Sequence, residues 1–433
     1  MRRPLADEID RFAERILELG LSPAAAVAVT DADATLYERT YGGVDPGGLW
    51  QIGSIGKSFT SVIALQLVEE GHLDLHAPVT EHLPWFSVKS TYEAITLHHL
   101  LTHTAGLIMG SEIAPASNYD VIALSETEPG CAPGEHYWYS NVGYRTAGAV
   151  IERATGRSYA QLVRERVFDR LGMRDSEAAI VHDMRKRLVP GFSPFADDRP
   201  WHPEHGFVPA PWAESGEADG CISCTTADLA TYLRAFMRGG EGILSPESFR
   251  LMTTAHSVDE QDGDHYGYGL VVEEAALGHT GSMIGYHAAM WADLATGVGA
   301  VSMVNGPVGA RALCDAAVAI WKGREPEVLR FTSATALADD GSAPAELAGL
   351  VGHYRSYNPW YSNFRVVARG GSLWYAAEEA EAEHHPLTAL RNGSFQVGDP
   401  SWRPERLRFD TPIGGKAQRA FYSGNPYYRT FTP

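Results

Sequence analysis

The sequence predicts an α+β fold in which distant segments complete one antiparallel sheet around a helical insert, followed by a small all-β domain. Three observations carry this. Strand-like runs occur near the start, at Ala25–Thr30 and Thr35–Thr40, and return only at Tyr268–Val272, Gly285–Ala292 and Val298–Val304. The span between them reads mostly as amphipathic helices. Beyond residue 345 the pattern changes to short aromatic strands divided by glycine pairs.

Leu5, Ile9, Phe12, Ile16 and Leu19 recur near the helical period and stop at Gly20, so residues 5–19 form a helix with one apolar face. The two early strands flank an Asp-Ala-Asp turn. Ser58 to Glu70 is a strongly helical run. Residues 95–180 are helical with loops, including Gly143–Ala154 and Tyr159–Leu171, and Asp228–Arg238 is a helix that ends at Gly239-Gly240. Gly306–Trp321 is the closing helix. Phe364–Ala368 with Ser372–Ala376, and Arg406–Thr411 with Ala417–Tyr422, read as hairpins turning at Gly370-Gly371 and Gly414-Gly415. Tyr354, Tyr357, Trp360, Tyr361, Trp374, Tyr375, Trp402, Tyr427 and Tyr428 crowd this region, which suggests a barrel-like core. The expected organisation is residues 1–325, a linker at 326–345, and a β-rich unit at 346–433.

The chain has 433 residues, 44% of them apolar and 21% charged, as in an ordinary globular protein. A net charge of −19 argues against a nucleic-acid surface, which needs basic patches. The first twenty residues lack the apolar core of a signal peptide, and no run approaches a membrane span, so the expected location is cytoplasmic, away from membranes. Oligomeric state leaves no trace in the sequence. Cys221-Ile222-Ser223-Cys224 is a C-x-x-C without a second pair or a βαβ context, so small buried residues are expected there; whether the two pair stays open.

Ser54-Ile55-Gly56-Lys57 opens the Ser58 helix. A serine and a lysine three apart share one helix face, so the lysine can act on an otherwise weak nucleophile. Unpaired N–H groups at the helix start add positive potential beside the serine. In Tyr139-Ser140-Asn141 the phenol qualifies as a general base only if its pKa falls far below about 10, which a nearby ammonium favours. Asn141 is a candidate for positioning Lys57 or a substrate amide. His279-Thr280-Gly281-Ser282 leads into the strand around Tyr286; at a sheet edge it would line a cleft. There His279 would meet a substrate carboxylate or the moving proton, Gly281 would admit a substrate backbone, and the N–H groups of Ser282 and Ser54 would form an oxyanion hole.

His98, His99 and His103 invite a metal reading, but no carboxylate or H-E-x-x-H pattern accompanies them, so neither metal nor cofactor is expected. Gly56-Lys57-Ser58 mimics the end of a phosphate-binding loop, yet Gln51 stands where its first glycine belongs. No G-x-S-x-G occurs, which removes the usual α/β-hydrolase elbow.

Together, Ser54–Lys57, Tyr139–Asn141 and His279–Gly281, in that order, resemble the serine β-lactamase and penicillin-binding-protein superfamily, and within it the class C β-lactamase and D,D-peptidase branch. Leu100–Leu107, Pro133–Tyr144 and Leu171-Gly172-Met173 are similar to the family as well, and the match spans roughly residues 10–322. The resemblance implies a β-lactamase-like domain in which Ser54 forms an acyl-enzyme, with Lys57 and Tyr139 shuttling the proton. Asn141, Thr280, Gly281 and Ser282 would then handle substrate and oxyanion. His279 stands where true β-lactamases carry lysine, as in the family's D-aminopeptidases and esterases. The implied activity is that of a serine hydrolase on an amide or ester of a small molecule or peptide, such as a D-amino-acid peptide. An acyltransferase, thioesterase or peptide cyclase is the alternative, then a β-lactamase, and last an inactive binding protein. The C-terminal unit resembles the lipocalin-like appendage of several family hydrolases. Loops 108–132, 185–220 and 255–266, with the β unit, would set the substrate.

Overall fold

The computed structural model describes residues 2–110, 118–196, 199, 201–329, 331, 335–360, 363–377 and 384–430. Tyr361 lies outside them, as do 111–117 of the first expected substrate loop, 197, 198 and 200 of the second, and 330 and 332–334 of the expected linker.

An eight-stranded antiparallel sheet runs in the order Thr35–Tyr41, Ala25–Thr30, Val298–Val304, Tyr286–Asp293, Ala276–Met283, Val271–Val272, His265–Tyr266 and Ser257–Val258. The early strand Ala25–Thr30 pairs with the late Val298–Val304, in register from Ala25 opposite Val304 to Thr30 opposite Gly299. Successive strand side chains point to opposite faces. Ala25, Val27 and Val29 therefore pack with Ile9, Ala13 and Ile16 of the helix Arg2–Glu18 and with the helix Ala310–Trp321. Ala24, Ala26 and Ala28 pack into the opposite core, with the helices Gly56–Glu69 and Thr226–Met237. The sheet is thus covered on both faces, and Gly56–Glu69 is buried on nearly every side from Gly56 to Leu67. Its hydroxyls find internal partners: Ser58 with Tyr232 (2.9 Å) and Thr60 with Tyr159 (2.7 Å).

Three expected elements differ. Of the run Tyr268–Val272 only Val271–Val272 is strand, because Gly267 to Leu270 turn back on themselves (2.9 Å) and pair it with a further strand, His265–Tyr266. Gly269 holds a positive φ there (+71°), and a Cβ on it would lie 2.7 Å from the Lys57 carbonyl oxygen. The closing helix begins at Ala310, not Gly306, since Pro307 and a left-handed Gly309 interrupt it. His279 to Ser282, expected only to lead into the strand around Tyr286, lie inside a strand of their own, Ala276–Met283.

The C-terminal unit is a closed eight-stranded barrel running from Gly352–Arg355 to Asn425–Arg429. Its first and last strands pair at Tyr354 and Arg429, so no edge remains for another chain to join. Both glycines of each hairpin turn have positive φ, 58° and 80° at Gly370-Gly371 and 57° and 77° at Gly414-Gly415, as tight hairpins of primed type require. No helix among the described residues is long and apolar enough to cross a membrane.

Candidate active site

Ser54 sits in a single turn, Gly53–Ile55, immediately before the helix Gly56–Glu69. Two close approaches fix this turn against the strand Ala276–Met283. A Cβ on Gly53 would lie 2.6 Å from the Ser282 nitrogen and oxygen, and one on Gly281 would lie 1.8 Å from the Ile52 carbonyl oxygen and 3.0 Å from the Ser54 nitrogen. The main chains of Ser54 and Ser282 therefore lie side by side. Beyond Gly278 the strand has no partner on the flank away from Tyr286–Asp293, which opens it to a cleft. From the other side, Trp50 and Gln51 pair with Cys224 and Ser223, so the C-x-x-C segment braces the nucleophile turn. All four cysteines are buried and free.

Lys57 has no solvent exposure. Its ammonium donates to the Ser54 Oγ (2.9 Å) and to the main-chain oxygen of Asp219 (2.7 Å). It lies 4.8 Å from the centre of the Tyr139 ring and 5.6 Å from that of Tyr144. Asp219 is itself held by a buried Arg145, which pairs with Asp219 (3.2 Å) and Asp120 (2.8 Å). Nothing in the sequence marks Asp219, because a carbonyl is an acceptor that every residue carries.

Tyr139 stacks against His103 with ring centres 4.2 Å apart. His103, with a left-handed φ of 58°, accepts the Ser140 N–H on Nδ1 (3.0 Å), and its carbonyl accepts the Trp138 N–H (2.8 Å). Burial, then the charges of Lys57 and His279, hold this imidazole well below its usual range, hence neutral. His103 thus shapes the Tyr139 loop. Its signal lay in the Leu100–Leu107 run, where it was weighed only as a metal ligand. The three histidines of that run go separate ways: His98 Nδ1 meets the Tyr268 hydroxyl (2.7 Å), His99 Nδ1 accepts the Thr96 N–H (3.2 Å), and His103 backs Tyr139. No cluster suited to a metal ion occurs among the described residues.

Asn141 opens the helix Asn141–Thr155, its N–H donates to the Met109 carbonyl (2.8 Å), and its buried Oδ1 has no partner among the described residues. The Asp219 carbonyl holds the Lys57 ammonium. His279 is buried, with Nδ1 on the Thr280 carbonyl and Nε2 on the Tyr266 hydroxyl (3.0 Å). A carbonyl can only accept, so Nδ1 carries the proton and Tyr266 donates to Nε2. Both nitrogens are thus engaged, and His279 borders the groove that holds Ser54. Thr280 and Ser282, alternating with it, are exposed on the groove side.

Burial, reinforced by Lys57 and opposed by the Thr280 carbonyl, pushes His279 down to about 4, and burial pushes His98 to about 4 as well. An unfolded histidine titrates near 6.5. Between those values the unfolded chain binds protons that the folded chain refuses, so stability is intact above about 6.5 and is lost as pH falls toward 4. Thermal unfolding midpoints are expected to decline through that window, and less steeply in His279→Gln. An equal slope in both proteins would remove His279 as a cause.

Ser54 borders a groove of about 620 Å³ that also includes Tyr139, Thr280, Ser282, His287 and Arg311. Tyr139 and Ser282 also border a chamber of about 800 Å³, whose far wall is the barrel. Met109 and Gly110 of the first expected substrate loop and Asp259–Gln261 of the third line it, whereas no described residue of the second loop does. The barrel reaches this region through Glu405, whose carboxylate accepts the Met109 N–H (2.6 Å), and Ser423, which accepts the Gly110 N–H (3.2 Å). Trp402 stacks on His136 with ring centres 4.3 Å apart.

Over 248 residues the chain is 27% identical to Penicillin-binding protein 4 of Amycolatopsis lactamdurans, covering 54% of this chain and 63% of that protein. It therefore spans less than two thirds of that relative's length. Among solved structures, an octameric penicillin-binding protein homologue from Pyrococcus abyssi shares the fold over 98% of this chain and 99% of its own, at 23% identity and a TM-score of 0.66. A D-stereospecific amidohydrolase from Streptomyces sp. shares it over 72% of this chain and 98% of its own, at 24% identity and a TM-score of 0.61. The Beta-lactamase family model matches residues 9–325, close to the span over which the ordered motifs run, and the chain belongs to that family.

Proposed function

We propose that the chain is a serine hydrolase that forms an acyl-enzyme on Ser54 from an amide or ester of an amino-acid-like substrate. The observation that carries this is the Lys57 ammonium, fully buried and shared between the Ser54 hydroxyl and a fixed carbonyl, directly below the Tyr139 ring. Ser54 Oγ attacks the substrate carbonyl carbon while Tyr139 takes the hydroxyl proton. The N–H groups of Ser54 and Ser282 receive the negative charge on the carbonyl oxygen. As the carbonyl re-forms, the leaving group departs with the proton from Tyr139, and a water, deprotonated in its turn, releases the acyl group. Residues 1–325 supply this chemistry, 326–345 form a linker, and 346–433 form the barrel unit. A family neighbour described as a D-stereospecific amidohydrolase supports testing D-configured amides first.

Labelling with a fluorophosphonate, followed by peptide mass mapping, is expected to place the adduct on Ser54; an adduct elsewhere, or none, would overturn the reading. Tyr139→Phe is expected to slow acylation by about 100-fold or more, the usual scale of a lost general base. Near-normal acylation in that variant would assign the proton to another group. Product analysis with an added amine separates hydrolysis from acyl transfer.

A further inference from the structure

Ser282 and His287 are direct cross-strand partners in the hairpin of Ala276–Met283 and Tyr286–Asp293. Such partners put their side chains on one face, and both residues border the groove that holds Ser54. His287 Nδ1 meets the Gly306 carbonyl (2.8 Å), and its Nε2 meets the Ser282 hydroxyl (3.1 Å). A carbonyl only accepts, so Nδ1 carries the proton and Nε2 is bare. The Ser282 hydroxyl therefore donates to Nε2, which leaves its oxygen to accept from a donor in the groove. Ser282 is exposed there, and His287 is half-buried behind it. Burial, opposed by the Gly306 carbonyl, holds this imidazole below its usual range, hence neutral and able to take a proton. The Gly306 carbonyl orients the ring, a task that a carboxylate performs in a Ser-His-Asp triad.

The other titratable side chains along the groove have partners of their own among the described residues. Tyr139 contacts Lys57 and His103, His279 engages Thr280 and Tyr266, and Arg311 pairs with Asp315 (2.7 Å) over the Trp291 ring (3.6 Å). Deacylation needs two proton movements: water loses a proton, and Ser54 Oγ gains one. Lys57 donates to Ser54 Oγ (2.9 Å), so it is placed for the second. The first calls for a base beside the acyl carbon and apart from Lys57. With the acyl oxygen on the Ser282 N–H, the hydroxyl of the same residue stands next to the acyl group.

We infer that Ser282 and His287 form a second proton relay, which activates the water that releases the acyl group. This rests on the acyl-enzyme reading of Ser54. Water bonds to the acyl carbon as its proton passes to the Ser282 oxygen and the Ser282 proton passes to His287 Nε2. The bond from that carbon to Ser54 Oγ then breaks, and its electron pair stays on Oγ, which takes a proton from the Lys57 ammonium. The carboxylic acid so formed returns a proton to Lys57, and the His287 imidazolium releases its own to solvent. The products are a carboxylate, the free Ser54 hydroxyl and one proton.

The test uses p-nitrophenyl acetate, whose nitrophenol reports acylation, and intact mass, which follows the acetyl group on Ser54. In His287→Gln the amide accepts a hydrogen bond but takes no proton. Decay of the acetyl-enzyme is expected to slow about 100-fold in that variant, the scale of a lost general base. Once deacylation limits turnover, kcat and KM fall together, while kcat/KM, which reads acylation, stays near the native value. Ser282→Ala keeps the main-chain N–H and is expected to slow the decay as well. Native decay in either variant overturns the relay. So does a kcat/KM that falls in step with kcat in His287→Gln, since that marks a structural role. A native chain that forms no acetyl adduct on Ser54 is the separate result that removes the underlying reading.

Discussion

Ser54→Ala is expected to lower turnover by about 10⁴-fold or more and to abolish covalent labelling, with the fold retained by circular dichroism. The physical reason is that the hydroxyl has one task. It stands partly exposed at the groove, where it accepts from the Lys57 ammonium (2.9 Å). Removing it leaves Lys57 on the Asp219 carbonyl (2.7 Å), so the ammonium is not stranded. Its flanking positions in the chain, Gly53 and Ile55, carry no hydroxyl to take over. Single-turnover kinetics and intact mass provide the measurement; a variant keeping more than about 1% of native turnover would move the nucleophile elsewhere.

Gly281→Ala is expected to damage stability and catalysis together. The added methyl would sit 1.8 Å from the Ile52 carbonyl oxygen, a backbone atom that cannot rotate away. Its neighbour at 3.0 Å is the Ser54 nitrogen, so relief comes only by moving the strand off the nucleophile turn. That displacement separates the two N–H groups that receive the developing charge. Overpacking of this kind costs about 1–3 kcal/mol or more, and loss of one oxyanion donor about 100-fold in kcat or more. Gly297 offers the control: alanine there meets nothing within 4 Å and bears only the strain of a positive φ (67°). Denaturant unfolding and kcat for both variants give the comparison. Equal stability losses at the two positions would show that the contact with Ile52 relaxes freely.

Much of this arrangement was legible in the sequence where chemistry follows spacing. The three-residue step from Ser54 to Lys57 put both on one face, and the Lys57 ammonium does reach the Ser54 hydroxyl (2.9 Å). The glycine pairs at 370 and 414 marked barrel hairpins because their positive φ values favour that residue. Legibility failed where the cause lies across the fold. Asp219 acts through its main chain, so no side-chain pattern points to it. His279 carried a reactive side chain, but its burial and the partners of its two nitrogens follow from the fold. The strand holding it was hidden because Gly278 and Gly281 weaken strand propensity; both are there for close approaches, to Trp291 and to Ile52.

Met109 has a consequence of a different kind. Its N–H is held by Glu405 of the barrel, and its carbonyl holds the N–H groups of Asn141 and Val142 (2.8 and 3.1 Å). One residue thus joins the unit that bounds the far side of the substrate chamber to the helix that follows Tyr139. The reacting atoms all come from segments before residue 288, while much of the chamber wall comes from segments after residue 359. Substitutions in the barrel loops would therefore alter the chamber wall without touching the nucleophile turn, and the Met109 junction ties that wall to the helix after Tyr139.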